Sequence, residues 1–180
     1  MQIFDSSYKS KAYIANLFYN EVKNNSYIVI GGKSEWAGGI VPMNSPSLSI
    51  IPEAFLYIYA HKVSLVKVNL NGELSVESRN FIEYSDSEID INHPIQPNAI
   101  YFKAFVSSEA LNSLPNDITD YRIMGLYHNV VESPSVVADK QEGSYFSTNT
   151  ISFILDKAFN YEAININTLS DQNIQIVKTF

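Results

Sequence analysis

The chain has three histidines, His61, His93 and His128, and no cysteine. No two histidines stand close in sequence, and no HExxH or comparable metal-ligand spacing occurs. Without cysteine there are no disulfides, no thiolate nucleophile and no zinc–thiolate site, which fits a reducing compartment. Gly32-Lys33-Ser34 has the look of the end of a phosphate-binding loop. The full pattern requires a glycine five residues before Gly32, where Tyr27 stands. The segment after it runs into Trp36, Gly38 and Gly39 instead of a helix, so the backbone N–H cradle that holds phosphate is not expected. Asp86, Glu88 and Asp90 alternate as the first ligands of an EF-hand loop do. Ile91 then occupies the position of the sharp glycine turn and Pro97 that of the bidentate glutamate, so a solvated acidic loop is expected. Serines are plentiful, but no GxSxG elbow is present. No acid, base and oxyanion donors assemble from this pattern, and an enzyme, a cofactor and a bound metal are not expected.

Composition narrows the partners. The 180 residues are 46% hydrophobic and only 17% charged, with 12 Tyr and 10 Phe beside a single Trp. Sparse charge and abundant aromatics fit the centre of a protein interface. They equally fit aromatic-rich strands. The net charge of −7 and pI of about 4.9 disfavour contact with phosphate backbones, and the 12 basic residues form no stripe. No segment reaches the roughly 18 apolar residues that span a bilayer. Met1–Ser10 lacks a basic stretch followed by an apolar run, so no signal peptide is expected, and assembly in the cytoplasm follows.

The elements that position these residues are mostly strands. A helix is expected over 6–23, within an N-terminal helical segment 1–25, with Ala12, Tyr13, Leu17 and Phe18 at helical spacing. Tyr27–Ile30 reads as a strand ended by Gly31-Gly32. Residues 33–52 read as an ordered loop, since Trp36, Ile40, Val41 and Met43 have no place in a polar linker. Pro52 suits the first turn of a short helix over 53–61. A strand to Leu70 turns at Asn71-Gly72 into a return strand from Leu74. Residues 99–106 and 122–128 read as strands, with a helical turn near Ser108–Leu114 stopped by Pro115. Residues 145–155, 161–167 and 173–180 are extended. The expected fold is mainly β: a single-domain layered antiparallel β-sandwich over 1–180 with an N-terminal helix and short helical insertions.

Several stretches, in order, resemble the baseplate wedge protein eight family of T-even-type contractile-tailed phages. They begin with Asn16-Leu17-Phe18-Tyr19-Asn20, then a strand leading into Gly32-Lys33-Ser34-Glu35-Trp36. The proline-containing Val41-Pro42-Met43-Asn44-Ser45-Pro46-Ser47 follows. Asn98-Ala99-Ile100-Tyr101-Phe102-Lys103-Ala104-Phe105 and Tyr121–Val130 match two family strands, with Val130 where the family has proline. Ile174–Phe180 resembles the family's Thr-Phe end. The chain lacks a large central family insertion between about residues 72 and 98. The resemblance implies a structural subunit of the virion's tail baseplate, without catalysis or cofactor. It implies a homodimer that contacts other wedge subunits and holds one baseplate state until the sheath contracts. Large interfaces able to repack would serve that role.

The 33–52 loop is the expected interface element, with Lys33, Glu35, Trp36, Ile40, Val41 and Met43 as contact residues and Trp36 as anchor. Trp36 folding back onto its own sandwich is the competing expectation. Arg122 and Lys103 lie within apolar strands, where a buried cation needs a partner and an outward one meets solvent. Competing functions are a tail-tip or fibre-connector protein, a carbohydrate-binding β-sandwich whose tyrosines stack on sugars, and a small hydrolase with dispersed carboxylates.

Overall fold

The computed structural model describes residues 8–42, 50–68, 81–84, 97–131, 142–143, 145–146 and 152–180. The protein is mainly β, with two antiparallel sheets and an N-terminal helix, consistent with the β-sandwich class expected. Its contacts divide into two compact units. One comprises residues 1–24, 62–103 and 175–180; the other, 25–61 and 104–174.

In the first unit, helix α1 spans Tyr8–Val22. Ala12, Ala15, Tyr19 and Val22 are its buried residues, at the three-to-four-residue spacing of one helical face. The expected stripe is corrected here: Tyr13 and Leu17 are exposed. The sheet has the order β4–β3–β5–β9, where β3 is Lys62–Val68, β4 Phe81–Tyr84, β5 Ala99–Val106 and β9 Gln172–Thr179. Val66, Val68, Ala99 and Tyr101 form its core, with Val177 packed against them. Asn98 extends the β3–β5 pairing with its side chain. Val68 N donates to Asn98 Oδ1 at 2.8 Å, and Asn98 Nδ2 donates to Val68 O at 3.1 Å. Val68 pairs with Phe81; the expected turn at Asn71-Gly72 and the start of its return strand at Leu74 lie outside the described residues.

In the second unit, the sheet has the order β7–β2–β1–β6–β8. These strands are β1 Tyr27–Gly31, β2 Leu56–Tyr59, β6 Asp120–Val131, β7 Tyr145–Phe146 and β8 Ser152–Asn165. The expected helix over 53–61 is replaced by β2. Phe55 N donates to Ile30 O at 3.0 Å, and Gly32 N donates to Pro52 O at 3.0 Å. Phe55–Ile58 are all buried. An aromatic and β-branched run buried on both faces satisfies its backbone better by pairing with β1 than by one isolated helical turn. Tyr27, Val29, Ile51, Tyr57, Ile123, Tyr127 and Val130 form the core. The buried Tyr127 hydroxyl accepts a hydrogen bond from Ile51 N at 2.7 Å. Gly31 allows the 51–54 turn to cross β1 closely, since a Cβ there would stand 2.7 Å from Ile51 Cγ2 and from Pro52 O.

Helix α2, Ser108–Asn112, follows β5 and is capped by Ser107, whose Oγ accepts from Ala110 N at 3.1 Å. The long β6–β8 pair shifts register at three places. At the first, β8 sets three residues, Tyr161–Ala163, against Arg122 alone. At the last, Asn129 takes a left-handed conformation, φ 52°, as a bulge position allows.

Candidate functional site

The expected interface loop leaves β1 at Gly32 and is tied down along its first ten residues. Gly32 has φ +71°. A Cβ there would meet Ile123 Cγ1 at 2.7 Å, so glycine is required both for conformation and for space. Lys33 O accepts from Arg122 Nη1 at 3.0 Å, and the same nitrogen lies 2.5 Å from Asp120 Oδ1. Arg122 is buried and finds its counter-charge two residues back on the same face of β6, answering the question its apolar strand raised. The Lys33 ammonium, exposed, lies 3.5 Å from Asp117; such a pair contributes little.

Ser34 is held more firmly. Its N donates to Glu53 Oε2 at 2.8 Å and its hydroxyl donates to Glu53 Oε1 at 2.5 Å. These two bonds, the hydroxyl first, hold the Glu53 carboxyl below its ordinary value of 4.5. Glu53 makes them from a left-handed backbone, φ 48°, a conformation costly for a residue with a Cβ. Gly32-Lys33-Ser34 thus spends N–H groups on Pro52 O and Glu53 and opens no phosphate cradle.

Trp36 turns inward. Its side chain is half-buried against the Tyr27–Tyr127 core, and Nε1 donates to Tyr161 O at 2.7 Å. Tyr161 stands in the widened stretch of β8, where the regular ladder is interrupted, and the indole supplies its carbonyl with a donor. Such a bond is worth about 1 kcal/mol net. Trp36 is accordingly a fastening between loop and sheet. After it, Ala37–Gly39 form a 3-10 turn, with Gly38 and Gly39 both at φ +70° and nothing within 4 Å of a Cβ on either. Asn160 Nδ2 donates to Pro42 O at 3.0 Å and ties the loop's far end to β8. Of the expected contact residues, Lys33 and Glu35 are exposed, Ile40 is 76% exposed, and Val41 is half-buried. Met43 lies outside the described residues.

The second candidate surface is on α1, and the sequence reading did not single it out. Tyr13, Ile14 and Leu17 are 65%, 48% and 54% exposed, on the side away from Ala12, Ala15, Tyr19 and Val22. The signal was present: two apolar stripes on one helix. Phe18 borders this face, edge-on to Phe180 at 5.7 Å between centroids, with Lys178 Nζ 4.4 Å from the Phe18 centroid.

Among the described residues, the histidines and Lys103 take no part in fastening the loop. His61 Nε2 is 3.5 Å from Glu142 Oε1. His128 is buried in β6. Lys103 is half-buried on β5, with Lys62 as its backbone partner. His93, Asp86, Glu88 and Asp90 lie outside the described residues. Among the described residues, no three His, Asp or Glu side chains converge as a metal site, and no helix is long and apolar enough to cross a membrane. No protein-family model matches the chain, and no characterised protein matches it in sequence.

Proposed function

We propose that the chain is a structural subunit of a contractile phage-tail baseplate wedge, acting through protein–protein interfaces in assembly and contraction and not as an enzyme. The observation that carries the interface part is α1. A helix apolar on two opposite faces belongs inside an assembly, because one packed side leaves the other in water. Tyr13, Ile14 and Leu17 are that second face. The loop supports the same reading. Fastened at Ser34, Trp36 and Pro42, it presents Ile40 at low conformational cost to a partner. The order of resembling segments favours the wedge among virion assemblies. The proposed partners are other wedge subunits, with no nucleic acid, membrane or cofactor, and the location is the tail baseplate.

The test is mass spectrometry of tail particles produced from the genome that encodes this sequence, with Tyr13→Ser/Leu17→Ser as a paired variant. The wild-type chain should co-purify with baseplates in fixed ratio, and the variant, folded by circular dichroism, should be lost from them. A chain absent from purified tails would sink the proposal.

A further inference from the structure

We infer that the Asn167–Gln172 turn is a docking knob, and that Leu169 at its tip enters an apolar hollow rimmed by Lys and Arg on a protein other than this chain. This surface belongs to the second unit and not to α1. It is independent of the interface features used for the proposed function.

The turn sets a leucine among residues that favour turns, Asn167, Thr168, Ser170 and Asp171. Leu169 is 93% exposed, more than any other large apolar residue described. A lone apolar side chain on a surface is ordinary, but this one stands on a turn held from both sides. Leu169 N donates to Asn167 Oδ1 at 3.0 Å, Asn167 Nδ2 donates to Ser170 Oγ at 2.8 Å, and Gln172 Nε2 donates to Asn167 O at 2.9 Å. The α2 segment clasps the same turn: Asn112 Nδ2 donates to Thr168 O at 3.1 Å, and Ser108 N donates to Asp171 Oδ1 at 2.8 Å. The fold therefore fixes the tip while burying almost none of its side chain. A leucine presented in this way binds with little ordering cost, and its burial contributes about 1.5–3 kcal/mol.

Charge selects the partner. Residues 104–121 and 158–174 contain no Lys, Arg or His. Asp117 and Asp120 are answered by Lys33 and Arg122, whereas Glu109 and Asp171 pair with no cation among the described residues. Both are exposed. Glu109 follows Ser108, which is bonded to Asp171, so the two carboxylates flank the knob. They repel nucleic-acid phosphate and anionic lipid. A second copy meeting here would set carboxylate against carboxylate. A basic protein surface is the complementary one, and a protruding side chain calls for a hollow in it.

The test places the photo-cross-linker p-benzoylphenylalanine at position 169 of the full chain, in cells where the genome encoding this sequence is expressed. Position 131 serves as control, since Val131 is 65% exposed in the same unit. After irradiation, mass spectrometry of the adduct identifies the linked peptide. Position 169 should link to one other protein, at a segment where Lys or Arg flanks apolar residues, with at least about ten times the yield of position 131. Glu109→Lys/Asp171→Asn should lower that yield about tenfold. The asparagine keeps the Oδ1 acceptor for Ser108 N, so circular dichroism should be unchanged. No adduct at position 169 overturns the assignment. So does an adduct to a second copy, an adduct to a segment without Lys or Arg, a yield equal to that of position 131, or a charge variant that links as well as the wild type. A chain that enters tail particles without linking at position 169 would lose this site and keep the proposed function. One that links there to a basic protein but is absent from tails would do the reverse.

Discussion

Replacing Tyr127 with Phe removes one oxygen and should change stability in two separable ways. Tyr127 is fully buried in β6, and its hydroxyl is the acceptor for Ile51 N at 2.7 Å. Phenylalanine keeps the ring, so packing against Tyr57, 6.1 Å away between centroids, is preserved. The amide of Ile51 is left buried without its acceptor, which costs about 1–3 kcal/mol. For a chain of this length that is roughly 2–4 °C in Tm per kcal/mol. The second effect is alkaline. Burial pushes the Tyr127 phenol from 10.0 up to about 12, against a smaller opposing effect of the Ile51 hydrogen bond. A raised folded-state value means the stabilisation is fully present below pH 10 and lost as pH rises from 10 to 12, because only the unfolded chain ionises in that window. Two pH units correspond to at most about 2.7 kcal/mol. The phenylalanine variant has no such ionisation. Its deficit at pH 7 should therefore shrink between about pH 10 and 12 and approach zero. Urea unfolding followed by far-ultraviolet circular dichroism at each pH measures this difference. Tyr57, Tyr121 and Tyr161 are also raised by burial, but they titrate in both proteins and cancel. A deficit under about 0.5 kcal/mol at pH 7 would show that the Ile51 bond is not made. A deficit constant from about pH 7 to 12 would show that Tyr127 ionises freely in the fold.

Glu53 supplies a second titration at the other end of the scale. Its carboxyl is lowered, so its hold on Ser34 is complete above pH 4.5 and lost as pH falls through the folded value. The emission of Trp36, the only tryptophan, should shift in that acid window, and Glu53→Gln should remove the transition. Gly31→Ala should destabilise more than Gly38→Ala, by about 2 kcal/mol or more. Its Cβ meets side chain and backbone at 2.7 Å, whereas Gly38 has open space and only its positive φ to oppose the change. Thermal melts of the two variants compare them. Asn98→Ala should cost about 2–4 kcal/mol in urea unfolding, because two buried bonds to Val68 are lost together and the Val68 N–H is orphaned.

Much of the architecture was legible because it follows from local pattern. The strands at 27–31, 99–106 and 172–179, the N-terminal helix and the capped turn after Ser107 all lie close to where alternation, helical spacing and capping chemistry place them. The errors share a cause, which is that long-range pairing outweighs local signals. Pro52 is a good helix starter, yet its carbonyl is taken by Gly32 and the following residues by β1. The break expected between residues 155 and 161 is not a loop. It is a bulge at Asp156 within one 14-residue strand. At the candidate site, Trp36 could be placed on the loop but not turned inward. The acceptor for its indole is Tyr161 O, 125 residues away, exposed by a bulge that no sequence pattern announces.

Those bulges also bear on what β8 cannot do. It is the last strand of its sheet among those described, and at 14 residues a regular outer strand of this length would offer a long template for endless strand-on-strand growth. With extra residues at Asp156 and Tyr161–Ala163, its outward N–H and C=O groups fall out of the even spacing that an incoming strand needs. Asn160 and Tyr161 are further engaged by the 33–42 loop. In the role proposed, copies accumulate before they are built into a larger particle, and this edge keeps them from polymerising through the wrong side.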